Sequence, residues 1–232
     1  MGLFRFKQFS VNDDHAPMKV GTDAVLLGAW TRVEEATHIL DVGTGCGVVA
    51  LMVAQRAPQA RIDAIDNDAA SCFEATYNAT QSPWADRIRV HHHPIQSFSS
   101  PTGYDLIVSN PPYFSNSLLP PSPARTQARH NTTLTLPELV NACTRLLSPN
   151  GRVNVILPET SVNELVTTAE AKGLYLQAQC RIVMKAGQPA KRSLLQLVRQ
   201  PVALAVTELV LLNPDSSRSD AYRELTAAYY LD

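Results

Sequence analysis

The chain has 232 residues, of which 45% are hydrophobic and 18% are charged, and its formal net charge is −1 at pH 7. The length allows one substantial α/β domain, and the composition is typical of a globular protein with a substantial core. The net charge gives no support for a broadly basic nucleic-acid-binding surface, although a local basic cluster stays open. The four cysteines are scattered, and the chain shows neither a membrane-length apolar run nor a signal peptide. We therefore expect a cytoplasmic protein with reduced thiols, no metal site and no membrane anchor.

The N-terminal segment contains closely spaced phenylalanines, which predict a short strand packed against the rest of the protein. A helix is predicted over Thr22–Trp30, with Thr22 or Asp23 as its N-cap. Beyond residue 37, strand-like and helix-length segments alternate. The predicted strands are residues 38–42, 62–66, 87–92, 105–109 and 153–157. The predicted helices are residues 48–57, 69–79, 135–147 and a segment from Ser161 to just before Gly173.

Capping-box spacings mark the starts of the last two helices, at Thr135 and Ser161. The segments Tyr175–Met184 and Ser193–Arg199 are predicted to form a hairpin of two strands. This order indicates an α/β fold with a mainly parallel seven-stranded sheet, an antiparallel final hairpin and helices on both faces. We expect one domain over residues 1–232, with a short N-terminal extension (1–35) and a C-terminal appendage (203–232).

A glycine-rich loop, Asp41-Val42-Gly43-Thr44-Gly45-Cys46-Gly47, connects the strand at 38–42 to a helix. Its spacing differs from the G-x-G-x-x-G pattern that binds the pyrophosphate of a dinucleotide. Asp66 ends the next strand about twenty residues later, where a carboxylate can accept hydrogen bonds from ribose hydroxyls. Together, the loop and the acid favour a cofactor that contains a nucleoside.

The sequence Asn110-Pro111-Pro112-Tyr113 follows the apolar strand at 105–109. The carboxyl edge of an open α/β sheet is where its ligands bind. The two prolines fix the backbone and remove two N–H donors, so that their carbonyls can act as acceptors. A carboxamide, such a carbonyl and an aromatic ring together indicate a pocket for a planar amino group, as found in adenine, cytosine, guanine and glutamine.

The resemblance rests on three features: the glycine-rich loop, Asp66 at the end of the next strand, and the Asn-Pro-Pro-Tyr sequence that starts at Asn110. Together they resemble the class I S-adenosylmethionine-dependent methyltransferases that modify amino groups. More narrowly, residues 18–30, 81–88 and 228–231 are similar to the bacterial valine-tRNA adenine-N6 methyltransferases. The resemblance covers nearly the whole chain. It implies a Rossmann-like fold, S-adenosylmethionine as the cofactor, and a tRNA substrate methylated at the adenine beside its anticodon.

The resemblance also assigns roles to residues. The implied cofactor-binding residues are Asp41, Gly43, Gly45, Gly47, Asp66, Ile95 and Asn110. The implied catalytic residues are Asn110, Pro111, Pro112 and Tyr113. In this scheme Asn110 and the Pro111 carbonyl accept the two N6 hydrogens of adenine, while Tyr113 or Phe114 stacks on the base.

The chain departs from the family after the strand at 87–92. The family commonly has an acidic residue there that contacts the adenine amine of the cofactor, but this chain has Pro94. Proline has no side-chain acceptor, so backbone groups or Gln96 are the expected substitutes. Nearby, His91-His92-His93 suggests a metal site, but no third ligand or carboxylate accompanies it, so none is expected.

Basic and aromatic residues near the predicted site could contact RNA, and as a cluster they would make binding sensitive to salt. The predicted substrate-binding residues are Lys19, Phe114, Arg125, Arg129, Lys191 and Arg192. For any single charged residue, a role as part of the solvated surface is the better explanation.

Other functions stay open at this point. A methyltransferase for guanine-N2 in ribosomal RNA or for a protein glutamine would use a similar Asn-Pro-Pro-aromatic site. The glutamine type usually carries an additional N-terminal helical domain, for which about forty residues before the glycine loop leave no space. A nicotinamide oxidoreductase would require different glycine spacing. A noncatalytic RNA-binding module would have no use for an intact Asn110 and glycine loop.

Overall fold

The computed structural model of the protein describes residues 2–112 and 134–231. The strands in these ranges are β1 (Leu3–Arg5), β2 (Ser10–Asn12), β3 (His38–Val42), β4 (Arg61–Asp66), β5 (Ile88–His92), β6 (Tyr104–Ser109), β7 (Leu147–Pro158), β8 (Tyr175–Lys185), β9 (Arg192–Val198) and β10 (Ala205–Leu212). The helices are α1 (Thr22–Trp30), α2 (Val48–Arg56), α3 (Ala69–Thr80), α4 (Leu136–Leu146), α5 (Val162–Glu170) and α6 (Asp220–Thr226).

In the described ranges, the main sheet has eight strands in the order β10-β8-β9-β7-β6-β3-β4-β5. Strand β9 runs antiparallel to both β7 and β8, and the other neighbouring pairs are parallel. The predicted α/β fold with an antiparallel final hairpin is therefore confirmed. The strand order reverses between β3 and β6, which makes this the point of the sheet where a ligand is expected.

The sheet contains one strand more than the seven predicted. Strand β10 lies in the segment expected to be a C-terminal appendage, but it pairs in parallel with β8. Without β10, strand β8 would lie at the edge of the sheet and leave backbone N–H and C=O groups unpaired. Pairing with β10 gives these groups hydrogen-bond partners.

Two hydrophobic clusters cover the two faces of the sheet. Successive residues of β3 belong to different clusters, because side chains alternate along a strand: Ile39 packs with α1 and α2, whereas Leu40 packs with α4 and α5. The first cluster also contains the predicted N-terminal phenylalanine packing, in which the rings of Phe6 and Phe9 stack at 4.5 Å. Tyr229 joins the same cluster from the C-terminal end. We infer that both terminal segments belong to the same domain as the sheet.

The predicted helix caps had different outcomes. At Thr135 the capping box is present, with the Thr135 side chain and Glu138 bonded reciprocally to each other's backbone. At Ser161 the helix begins as predicted, with Ser161 as the N-cap of α5, but the predicted capping box was wrong, because Ser161 ends a 3-10 turn, has a near-helical backbone (ψ −4°) and makes no side-chain cap bond. The prediction for α1 was also wrong: its N-cap is Gly21, and the Asp23 carboxylate instead pairs with Arg192 at 2.9 Å.

Candidate functional site

Three neighbouring strands bring the predicted motifs together at the carboxyl edge of the sheet. In the register of the sheet, Val42 of β3 lies opposite both Ile65 of β4 and Ser109 of β6. The residues that follow these strand ends therefore emerge side by side: the glycine loop in the centre, Asp66 on one side and Asn110 on the other. A cavity of about 170 Å³ opens at this place.

Eighteen described residues line the cavity, including seven of the ten predicted cofactor-binding and catalytic residues but none of the predicted substrate-binding residues that the structure describes. The lining residues are Pro17, Met18, Val42, Gly43, Gly45, Ile65, Asp66, Asn67, Asp68, Ser71, His93, Pro94, Ile95, Gln96, Asn110, Pro111, Pro112 and Leu134. The motifs at the glycine loop, at the end of β4 and at the end of β6 thus share one cavity.

The glycine loop turns closely around the end of β4. The N–H groups of Gly43 and Thr44 both donate to the backbone oxygen of Ile65, at 2.9 and 3.1 Å. A Cβ atom added at Gly43 or Gly45 would meet no atom within 4 Å. At these two positions the backbone therefore faces open space, which a ligand can approach more closely than side chains would permit.

Asp66 organises the same loop. One carboxylate oxygen accepts the N–H of Gly45 at 2.9 Å, and the other accepts the N–H of Asp68 at 3.0 Å. A carboxylate oxygen can accept more than one hydrogen bond, so Asp66 can still accept bonds from hydroxyl groups in the cavity.

Asp41 and Gly47 were predicted to bind the cofactor, but neither lines the cavity. The Asp41 side chain is buried and accepts hydrogen bonds from the Thr44 hydroxyl at 2.7 Å and the Ala50 N–H at 3.1 Å. Gly47 is the N-cap of α2 with φ +85°, and an added Cβ would lie 3.3 Å from Ala75. Both residues shape the loop, Asp41 by joining it to α2 and Gly47 by adopting a backbone that side chains disfavour.

Burial raises the pKa of Asp41 to about 7, and the hydrogen bonds from Thr44 and Ala50 only partly oppose this effect. Because the folded pKa lies above the usual value of 3.8, Asp41 stabilises the fold most below pH 4, and this contribution is lost as pH rises through 7. Asparagine keeps the accepting oxygen but does not titrate. We therefore expect the free energy of unfolding of Asp41→Asn, relative to wild type, to rise between pH 4 and pH 8, by up to about 4 kcal/mol. Urea denaturation at both pH values measures this difference, and an unchanged difference would contradict it.

The Asn-Pro-Pro segment forms the opposite wall of the cavity. Ser109, which precedes it, donates from its hydroxyl to the backbone oxygen of Val42 at 2.9 Å and so holds β6 against β3. Asn110 is partly exposed, Pro111 is buried and Pro112 is exposed. The two aromatic residues predicted to stack on a substrate, Tyr113 and Phe114, lie outside the described residues.

The segment after β5 forms the third wall, where Pro94 replaces the acid expected from the family. The guanidinium of Arg145, on α4, donates to the backbone oxygens of Ile95 at 3.0 Å and Gln96 at 3.3 Å. These bonds hold the carbonyls toward α4. Within residues 2–112 and 134–231, the N–H groups of Ile95 and Gln96 have no acceptor, so they can donate to a ligand in the cavity.

Part of the lining was not predicted from the sequence. Pro17 and Met18 come from the N-terminal segment and belong to the wall, as do Asn67, Asp68 and Ser71 from the start of α3. The similarity of residues 18–30 to a known family pointed to the neighbourhood of Pro17 and Met18. No local pattern in the sequence, however, places this segment over the edge of the sheet. Asn67, Asp68 and Ser71 could have been predicted because they follow Asp66 closely at the carboxyl end of a strand.

The charge of the cavity restricts its ligands. The side chains of Asp66 and Asp68 are carboxylates, and the eighteen described lining residues include no lysine or arginine. Such a lining suits a ligand with positive charge, such as a sulfonium or an ammonium group. The described lining therefore offers neither a lysine nor an arginine side chain to the pyrophosphate of a nicotinamide dinucleotide.

The predicted substrate-binding cations are not all available to a ligand. Lys19 is 60% exposed on its side chain, but its ammonium donates to the backbone oxygen of Asp13. Arg192 pairs with Asp23 and also donates to the backbone oxygen of Lys191 at 3.1 Å. Lys191 is exposed, at the carboxyl edge of the sheet. The remaining predicted cations, Arg125 and Arg129, lie outside the described residues.

The three consecutive histidines have other partners. His91 bonds to the Asp63 carboxylate at 2.7 Å, and His92 to the backbone oxygen of Asn67 at 3.1 Å. The rings of His91, in β5, and His93, one residue beyond its end, both contact Phe98. In the described part of the chain, no three histidine, cysteine or acidic side chains are grouped to hold a metal ion. Across the same residues, no helix is long and apolar enough to span a membrane.

Comparison of the fold with solved structures identifies methyltransferases. A predicted O-methyltransferase from Agrobacterium tumefaciens superimposes with a TM-score of 0.68 at 18% identity, covering 89% of this chain and 96% of the other. A TehB-like SAM-dependent methyltransferase from Corynebacterium glutamicum superimposes with a TM-score of 0.52 at 16% identity, covering 79% and 90%. At these identities the similarity establishes the fold, which is that of class I methyltransferases.

Sequence comparison narrows the assignment. Residues 18–162 match the model of the methyltransferase small domain family. A tRNA1(Val) (adenine(37)-N6)-methyltransferase of Tolumonas auensis is 43% identical over 229 residues, which is 98% of this chain and 96% of the relative. The enzyme of the same name from Bacteroides thetaiotaomicron is 42% identical over 230 residues, covering 99% and 97%. The chain therefore belongs to the methyltransferase small domain family and, within it, to the tRNA1(Val) (adenine(37)-N6)-methyltransferases.

Proposed function

We propose that this protein transfers a methyl group from S-adenosylmethionine to N6 of the adenine beside the anticodon of a valine tRNA, in the cytoplasm. The register of β3, β4 and β6 carries the proposal, because it joins the glycine loop, Asp66 and Asn110 in one cavity. Full-length relatives at 42–43% identity support the choice of substrate.

The cavity fits the cofactor in shape and charge. The open space at Gly43 and Gly45 leaves room for the methionine portion close to the backbone. Asp66 would accept hydrogen bonds from the ribose hydroxyls. The N–H groups of Ile95 and Gln96 would donate to ring nitrogens of the adenine, which is a different contact from the acceptor that Pro94 replaces. When bound, S-adenosylmethionine supplies an electrophilic methyl group on a positively charged sulfur, and the carboxylate-bearing lining is suited to that charge.

Asn110 and Pro111 would prepare the amine of the substrate. The exocyclic nitrogen of adenine is a poor nucleophile because its lone pair is delocalised into the ring. The side-chain oxygen of Asn110 and the Pro111 carbonyl would accept its two hydrogens, which favours a pyramidal nitrogen with its lone pair directed into the cavity. Alignment of this kind can contribute roughly 7–11 kcal/mol, so a strong base is not required. The surplus proton would leave to water.

The adenine must leave its stack to enter the cavity. A base in a tRNA loop is less costly to unstack than a base in a duplex. Tyr113 and Phe114 follow Pro112 directly in the sequence, and we propose that one of them stacks on the extruded base, worth about 1–3 kcal/mol. Lys191, together with Arg125 and Arg129, would contact RNA phosphates, so binding should weaken as salt concentration rises.

The test is incubation of the purified protein with labelled S-adenosylmethionine and total RNA from cells lacking this activity, followed by nucleoside analysis. We expect label in N6-methyladenosine from the tRNA fraction, and depletion of valine tRNA should remove it. Label in N2-methylguanosine would instead indicate the ribosomal RNA alternative, and label in protein the glutamine alternative. Either result, without labelled N6-methyladenosine, overturns the proposed substrate.

A further inference from the structure

Residues 13–20 form a loop, which we call the N-terminal strap, and hydrogen bonds join the two ends of this loop. The buried carboxylate of Asp13 accepts the N–H of Val20 at 2.9 Å. The ammonium of Lys19 donates to the backbone oxygen of Asp13, which is a second bond between the two ends of the loop. The strap therefore leaves β2 and returns to the start of α1 through a short loop whose ends are bonded together.

The tip of the strap reaches the proposed cofactor cavity. Pro17 and Met18 belong to its lining, together with the glycine loop and Asp66. Met18 is 49% exposed, although it is a large apolar side chain. An apolar side chain beside a cavity of this kind gains contact when a ligand fills the space.

Glu74 holds the middle of the strap. This residue of α3 is 1% exposed, and its carboxylate accepts the N–H of His15 at 2.9 and 3.2 Å and the N–H of Ala16 at 2.5 Å. Among the described residues no cation pairs with Glu74, so these backbone donors compensate for the burial of its charge. A buried carboxylate satisfied in this way ties its partners firmly, because hydrogen bonds to a charged acceptor are the stronger kind.

The same face of α3 also contacts the glycine loop. One turn beyond Glu74, the Asn78 side chain accepts the N–H of Asn12 at 2.8 Å and donates to the backbone oxygens of Asn12 at 2.7 Å and Cys46 at 2.8 Å. Helix α3 thus connects the strap to the loop that is proposed to hold the methionine portion of the cofactor.

We propose that Glu74 is a positioning residue for the cofactor: by binding His15 and Ala16 it holds the strap so that Pro17 and Met18 close the cavity. The inference rests on the proposed function, since it assigns the cavity to S-adenosylmethionine. Glu74 itself does not line the cavity and acts through the strap. It should therefore set the affinity for the cofactor and leave the transfer step unchanged.

Glu74→Gln tests the proposal, because it places an NH₂ group opposite one of the two backbone donors. The fraction of molecules with a correctly held strap should fall, and the Kd for S-adenosylmethionine should rise about tenfold. With saturating cofactor, kcat should stay within about twofold of wild type. Isothermal titration calorimetry and steady-state kinetics measure the two quantities. Glu170→Gln makes the same chemical change on the exposed side of α5 and should leave both unchanged.

A double-mutant cycle with Met18→Ala separates a positioning role from a merely structural one. If Glu74 acts through the strap, Met18→Ala should weaken cofactor binding in wild type and have little further effect in Glu74→Gln. An unchanged Kd in Glu74→Gln, multiplicative effects of the two variants, or a loss of kcat at unchanged Kd would each overturn the proposal. If Glu74→Gln does not fold, Ala16→Pro removes one of the N–H donors from the strap alone, and its Kd decides between the same outcomes.

These outcomes are distinct from failure of the proposed function. If the wild-type protein neither binds S-adenosylmethionine nor methylates RNA, the proposed function fails before any variant is compared. If wild type does both and the Kd of Glu74→Gln equals the wild-type value, the inference about Glu74 alone is wrong.

Discussion

Asn110→Ala is expected to lower the rate of methyl transfer to RNA by at least about a hundredfold, comparable to the loss of one stabilising group in a preorganised active site. The physical reason is that alanine removes the acceptor for one hydrogen of the substrate amine, so that the nitrogen is no longer held with its lone pair directed into the cavity. The cofactor should still bind, because the glycine loop and Asp66 lie on the other side of the cavity and are unchanged.

Two measurements check this expectation, single-turnover transfer to tRNA and calorimetric binding of S-adenosylmethionine. Asn110→Asp serves as the matched variant, since it retains oxygen acceptors at the same position and should retain part of the activity that alanine loses. Equal losses of binding and transfer in Asn110→Ala would mean that Asn110 mainly supports the shape of the cavity.

Asp66→Asn should have the second-largest effect, a rise of about a hundredfold in the Kd for S-adenosylmethionine, because hydrogen bonds to a charged acceptor are worth about 1.5–3 kcal/mol each. The substitution removes the negative charge and places an NH₂ group opposite the N–H of either Gly45 or Asp68. Both the loop and the proposed ribose contacts should suffer. Transfer should recover substantially at high cofactor concentration, since Asn110 and Pro111 remain in place.

Asp68→Asn is the matched control for this prediction. It removes a second carboxylate from the same cavity, yet asparagine can still cap α3 by accepting the N–H of Ser71, as Asp68 does at 2.7 Å. A much smaller effect of Asp68→Asn would assign a specific role to Asp66. Equal weakening by the two variants would instead mean that only the total negative charge of the cavity matters.

The residues at the strand ends were predictable because parallel strands follow a general rule. The apolar run before Asn110 and the strands before Gly43 and Asp66 were visible in the sequence, and the carboxyl ends of parallel strands meet at one edge of a sheet. The three motifs could therefore be placed together without coordinates. The resemblance to a methyltransferase family then indicated a cofactor and a substrate, which the comparisons support.

The predictions of helix caps that were wrong concern individual side chains. Thr22, Asp23 and Ser161 have residue types that favour caps, but in the structure their side chains form no cap bond. Asp23 instead pairs with Arg192, far away in the sequence. Residue type and spacing describe what a side chain can do locally, and a long-range partner decides what it does.

Hydrophobic periodicity and short-range backbone preferences were sufficient to predict helices α1 to α5, seven of the eight strands of the main sheet, the glycine loop and the position of each motif at a strand end. By contrast, the burial of Asp41, the position of Asp66 in the cavity wall and the bonding of the strap to Glu74 became visible only in the three-dimensional structure. Burial and contacts between residues such as Ala16 and Glu74, 58 positions apart, arise from the packing of distant segments, which no local pattern specifies.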